Sequence, residues 1–223
     1  MMDKFAALIP QSLLKHSGAV FYSGRKAFST PSPLYILGLN PGGSPKDLAT
    51  ETVEQHTEKV LNEAADDWSA YRDEIWRGNS PGTAGMQPRV LHLLRQLNLE
   101  PQNVPASNII FVRSAREKDI NDQFRQLAEL CWPFHQAVIE TLGVRVVLCF
   151  GQKSGGWVRE QLNANKPVDQ FVEEYEKRHL TSISYKNSDG VVVVVATHPS
   201  RADWTNSEAD PSQLVKRMLK VTT

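Results

Sequence analysis

The feature that most constrains this chain is a series of short, continuously apolar runs, each closed by a polar or glycine-rich turn. Leu34-Tyr35-Ile36-Leu37-Gly38-Leu39 meets Asn40-Pro41-Gly42-Gly43, Arg145 to Phe150 meets Gly151, and Val191 to Ala196 runs toward His198-Pro199-Ser200. Strands without an alternating polar face are buried on both sides, which requires a largely parallel sheet covered by helices. A fourth run, Asn108 to Val112, predicts a strand that opens at Asn108. Helical periodicity fills the intervals over Pro88–Leu97, Asn121–Leu142, Lys153–Leu162 and Pro211–Lys220, and Pro88 suits a first helical turn. Leu180–Lys186 and Val191–Ala196 flank Asn187-Ser188-Asp189-Gly190, the signature of a hairpin. The expected fold class is α/β, a three-layer α/β/α arrangement with a mainly parallel central sheet.

A length of 223 residues suits one domain, expected to span 1–223. The 25 basic residues balance the 25 acidic ones, but unevenly. Between Asp47 and Arg77 stand nine acidic and three basic residues, a net −6, so the remainder carries +6. Segment 47–77 reads as an acidic helical insertion, with Glu51, Glu54 and Glu58 on one exposed face, and a polyanionic partner stays compatible with the neutral total. No apolar run approaches the ~18 residues of a membrane span, and Met1-Met2-Asp3-Lys4 does not open a signal peptide. The expectation is a cytoplasmic monomer with no membrane partner.

In parallel sheets ligands gather beyond the carboxyl ends of the strands, which draws attention to the Asn40 turn, Gly151-Gln152-Lys153-Ser154 and His198-Pro199-Ser200. Phosphate loops fail on their own chemistry. Gln152 stands where a glycine must precede Lys153, and Pro41 removes a backbone donor from the first turn. The six histidines are scattered without metal-ligand spacing, and Cys131 and Cys149 lie in helical and strand patterns that bury them. No metal and no cofactor are expected.

Gly38-Leu39-Asn40-Pro41-Gly42, Asn108 and His198-Pro199-Ser200, in this order, resemble the motifs of the uracil-DNA glycosylase superfamily. Gly85-Met86, Asn108 to Arg113, Cys131-Trp132-Pro133-Phe134 and Val146 to Gly151 are similar to its iron–sulfur branches, and the likeness spans roughly Leu34 to Trp204. Of the four cluster cysteines only Cys131 has a counterpart, and Val112 stands where a strand-end cysteine would be, so no cluster is expected. The resemblance implies hydrolysis of the N-glycosidic bond of uracil, or a related deaminated or modified base, in DNA as part of base excision repair. Asn40 and His198 would be catalytic. Gly38, Leu39, Pro41, Gly42 and Asn108 would bind the base, while Lys153, Ser154, Ser200 and Arg201 would contact DNA. The acidic segment displaces the family's base-stacking aromatic; Trp68, Tyr71 and Trp76 lie nearby, and Met86 and Gln87 occupy the closest motif position.

The residue chemistry is consistent with these roles. Expelling a pyrimidine leaves negative charge on the base, which a hydrogen bond from His198 stabilises in a dry pocket. The Asn108 amide has a donor and an acceptor that match the O4 and N3–H edge of uracil. An amide does not take up a proton near neutral pH, so Asn40 would hold water rather than act as a base. Lys46, Arg113, Arg116, Lys153 and Arg201 are expected to form a basic rim, with the acidic segment facing away. The missing aromatic motivates a second class, a non-catalytic nucleic-acid or damaged-base binder on the same fold. A small-molecule α/β hydrolase would need a nucleophile elbow, which is absent.

Overall fold

The computed structural model describes residues 1–76, 78–175 and 179–221; Arg77, the far end of the expected insertion, lies outside them. The elements follow as α1 (Met2–Ala6), β1 (Leu34–Gly38), α2 (Val53–Asn62), α3 (Ala70–Asp73), α4 (Gln87–Gln96), β2 (Ala106–Asn108) and α5 (Phe124–Leu142). β3 (Val146–Phe150), α6 (Gln152–Leu162), β4 (Lys166–Val172), β5 (Thr181–Lys186), β6 (Val192–Ala196) and α7 (Ser212–Val221) complete the order. Six strands form one mixed sheet ordered β2-β1-β3-β6-β5-β4. β2, β1, β3 and β6 pair in parallel, whereas β5 and β4 add as antiparallel neighbours. Among the described residues no helix is long and apolar enough to cross a membrane.

Every residue of β1, β3 and β6 is buried, as their continuous apolar character requires. Alternate side chains divide between two cores. Tyr35, Leu37, Val147, Cys149, Val193 and Val195 join an aromatic cluster that includes Phe21, Phe111 and Phe134. Leu34, Ile36, Leu148 and Phe150 face the other way, toward Leu93 and Leu94 of α4 and Leu214 and Val215 of α7. Helices on both faces make three layers.

Three sequence expectations are corrected. The second strand is Ala106–Asn108, so Asn108 closes it rather than opening it. Beyond it Ile109 and Ile110 N–H still donate to Gly38 O and Leu39 O, while the side chains of Ile109 to Val112 sink into the aromatic core, where the N-terminal segment covers them; Ala19 N–H donates to Phe111 O and Phe21 bridges Ser107. β4 escaped notice because it is an exposed edge strand containing Lys166, Pro167, Asp169 and Gln170, with a register break at Pro167 and Asp169. The acidic helix is broken in two. Thr52 and Gln55 form a capping box that starts α2, whose Val53, His56, Thr57 and Val60 are buried, and α3 covers only Ala70–Asp73. Arg25 donates to the carbonyls of Val60 and Ala64, fastening this segment to the body.

His56 and His135 are buried and neutral. His135 Nε2–H donates to Ile109 O at 3.2 Å, leaving Nδ1 to accept from the Tyr35 hydroxyl at 2.9 Å. His56 Nδ1 accepts from Val20 N–H at 3.3 Å. Desolvation pushes His135 down to about 4 and His56 to about 3. Below pH ~6.5 the unfolded chain takes up protons that the native state refuses, so stability falls as pH drops from 7 toward 4. Urea unfolding at pH 7 and pH 5 should differ by ~2 kcal/mol for each buried imidazole; equal stability would contradict their neutral burial.

Candidate active site

Parallel pairing brings the carboxyl ends of β2, β1, β3 and β6 to one edge, and a cavity of about 570 Å³ opens there. Gly38, Leu39, Asn40 and Gly42 line it from the end of β1, Asn108 from β2, and Thr197, His198, Ser200 and Arg201 from the end of β6. Gly151, in the left-handed region at φ +89°, turns β3 into α6 and brings Gln152, Lys153 and Ser154 to the same wall. Pro41 does not line the cavity and is buried. Its carbonyl instead accepts from Asn40 Nδ2 and from Ser114 N–H.

Asn108 pairs with Gly38 across the strand ends. A methyl group at position 38 would lie 2.1 Å from Asn108 Oδ1, so only glycine lets that amide cross the end of β1. Burial pushes the nearby Tyr22 phenol up to about 12.

Asn40 is oriented by its neighbours. Its Nδ2 donates to Ser114 Oγ at 2.9 Å, Pro41 O at 3.1 Å and Val112 O at 3.2 Å. Ser114 Oγ donates its own proton to Arg116 O at 3.0 Å, so toward Asn40 it can only accept. Backbone carbonyls likewise accept only. The NH₂ is therefore turned to the protein, and Oδ1 has no hydrogen-bond partner among the described residues.

His198 is fixed in the same manner. Its Nδ1 lies 3.0 Å from Ser200 N and 2.8 Å from Ser200 Oγ. A backbone N–H can only donate, so Nδ1 accepts and the neutral ring carries its proton on Nε2. Burial holds the imidazole below its ordinary value; Glu117 opposes that shift and Arg201 adds to it. The cavity thus combines a neutral Nε2–H donor, an amide whose carbonyl oxygen is open, and a second amide at a strand end.

Several expected contacts are otherwise engaged. Ser154 is buried and its hydroxyl donates to Phe150 O and Gly151 O. Lys153 bonds Asn121 and lies 4.6 Å from the Phe124 ring centroid. Arg113 is not on the rim: its side chain is 8% exposed, pairs with Glu51 and donates to Gly42 O. Glu51 thus ties the acidic segment to the motif turn through Arg113. Lys46 is exposed but does not line the cavity. Arg116, Lys153 and Arg201 remain as cationic lining, with Glu117 as the carboxylate among the lining residues.

Trp68, Tyr71 and Trp76 do not line the cavity; Tyr71 is buried and Trp76 packs edge-on against it. Gln87 is buried, donating to Ala70 O and Glu74 O, whereas Met86 does line the cavity. Phe150 also contributes, but it is 1% exposed and packed edge-to-face on His198 and Trp204. Burial pushes the Cys131 thiol up to about 12 and raises Cys149 as well, which suits structural thiols. Among the described residues no three His, Cys, Asp or Glu side chains gather to hold a metal. Ser114, Phe150 and Glu117 are lining residues that sequence reasoning missed, and nothing in their spacing signals a site.

The chain matches no known protein-family profile, and no curated protein sequence matches it.

Nitrogen NMR of the His198 ring tests the geometry directly. The neutral form should carry its proton on Nε2 and titrate below 6.5; an Nδ1–H tautomer, or titration above that value, would contradict it.

Proposed function

We propose that this chain is a DNA glycosylase that hydrolyses the N-glycosidic bond of uracil, or a related deaminated or modified base, in DNA. The observation that carries this reading is the meeting of Asn40, Asn108 and His198 in one cavity from the ends of three different strands. Their order and sequence context are those in which the chain resembles the uracil-DNA glycosylase superfamily, and the same resemblance makes its fold a member's fold.

In this reading a base leaves the stack and enters the cavity. Asn108 meets its edge with one donor and one acceptor. The C1′–N bond breaks with its electron pair passing to the base, and His198 Nε2–H donates to the base oxygen on which that charge gathers. A neutral donor suits the task, because it needs no proton transfer to stabilise the anion. Water held by the open Oδ1 of Asn40 adds to C1′ and releases its proton to solvent. Met86 supplies an apolar, polarisable surface in place of an aromatic ring. Arg116, Lys153 and Arg201 would meet backbone phosphates, which position the strand without reading its sequence.

The absence of an open aromatic face among the described lining residues favours one alternative, a protein that binds damaged or deaminated bases without cleaving them. Oligonucleotides carrying uracil, hypoxanthine, xanthine, 5-hydroxymethyluracil or a G·T mismatch, scored for abasic sites and for binding, separate the two. Cleavage of at least one substrate is expected. His198→Ala should slow single-turnover cleavage about a hundredfold while sparing most of the affinity. Asn40→Ala should slow the chemical step too, and Asn108→Ala should weaken preference for uracil over cytosine. A wild type inert on every base, yet still binding DNA, would establish the binder.

Affinity should fall with salt along a shallow slope, about −2 to −3 in log K against log salt for three cationic contacts. Salt-independent binding would point to a small-molecule ligand.

A further inference from the structure

Arg89 lies outside the cavity yet reaches the loop that carries His198. It projects from α4, and its guanidinium makes a fork: Nη1 donates to Pro199 O, while Nε pairs with Asp203 Oδ1 at 3.2 Å. The remainder of that loop is tied to the fold from within. Thr197 N–H donates to Ser182 Oγ at 3.0 Å, and the buried Trp204 donates its indole N–H to Thr197 O at 3.2 Å. The carbonyl of His198 accepts from Arg201 N–H and Ala202 N–H. Pro199 has no N–H of its own, so its carbonyl is the one backbone hydrogen-bonding group it offers as an anchor.

That carbonyl belongs to the same planar peptide unit as the Ser200 N–H. In a trans peptide the C=O and N–H point in opposite directions. The oxygen is taken by Arg89, and the N–H at the other end donates to His198 Nδ1. A charged donor on the oxygen also polarises the unit and strengthens its N–H as a donor. Arg89 and His198 are thus linked through a single rigid plane.

The base of this fork is itself held. Gln87, two residues earlier, is fully buried and donates to the carbonyls of Ala70 and Glu74, both at 2.8 Å. His92, further along α4, pairs with Asp210 at 3.0 Å. Burial lowers the His198 imidazole, with Glu117 opposing and Arg201 adding to that shift. The action of Arg89 on the imidazole runs through the shared peptide plane.

We propose that Arg89 is a positioning residue whose two-pronged grip on Pro199 O and Asp203 orients the Pro199–Ser200 peptide, keeping the proton of His198 on Nε2 and that nitrogen aimed into the cavity. The consequence for cleavage rests on the glycosylase reading; the consequence for the imidazole does not. The test compares wild type, Arg89→Met and Arg89→Lys by nitrogen NMR of His198, alongside kcat, KM and DNA affinity with a uracil oligonucleotide. Arg89→Met should lose the uniform Nε2–H signature, and kcat should fall on the order of tenfold to a hundredfold with KM and affinity little changed. Arg89→Lys keeps the charge but cannot fork, and should show smaller changes in both readouts. Should Arg89→Met fail to fold, Arg89→Lys decides. A wild-type His198 spectrum in either folded variant would overturn the proposal whatever the substrate. An altered spectrum in a protein whose wild type cleaves no base would uphold the positioning role and remove the glycosylase reading instead.

Discussion

Parallel register is the constraint on which the rest of this molecule depends. Because β2, β1, β3 and β6 run the same way, four chain segments distant in sequence end at one edge of the sheet. Asn108, Asn40, Gly151 and His198 each lie at or just beyond such an end. Their meeting needs no dedicated loop architecture. It follows from burying continuous apolar strands on both faces, which fixes strand direction and so fixes which ends converge.

Within that frame each polar group is oriented by elementary donor and acceptor accounting. Asn40 faces groups that can only accept, so its NH₂ turns inward. His198 Nδ1 faces a group that can only donate, so its proton is on the other nitrogen. Gly38 leaves room for the Asn108 amide that any side chain would fill. None of these side chains carries a formal charge at neutral pH. Catalysis in such a cavity would rest on preorganised dipoles in a poorly solvated site rather than on a strong base.

Much of this was legible in the sequence, and the exceptions have physical reasons. β1, β3, β6 and the β5–β6 hairpin announce themselves because full burial demands unbroken apolar runs or a strong turn. β2 did not, since its residues are Ala106, Ser107 and Asn108, while the apolar run beside it owes its character to the aromatic core that its side chains enter. β4 is exposed and polar, so its strand character comes from pairing with β5 rather than from its own pattern. Asn40, Asn108 and His198 were visible through their motifs. Ser114 and Arg89 were not, because they act on residues 74 and 110 positions away, and no spacing rule reaches that far. The expected rim cation Arg113 failed for a related reason: an acidic partner, Glu51, claims it from another segment.

The central claim is that the cavity receives a base removed from the DNA stack. A crystal structure with an oligonucleotide carrying uracil on a 2′-fluorinated sugar, which resists glycosidic cleavage, tests it most directly. The account predicts the uracil within the cavity, one carbonyl oxygen within hydrogen-bond distance of His198 Nε2 and its edge against the Asn108 amide. A uracil that stays stacked in the strand, or that binds away from His198 and Asn108, would contradict it.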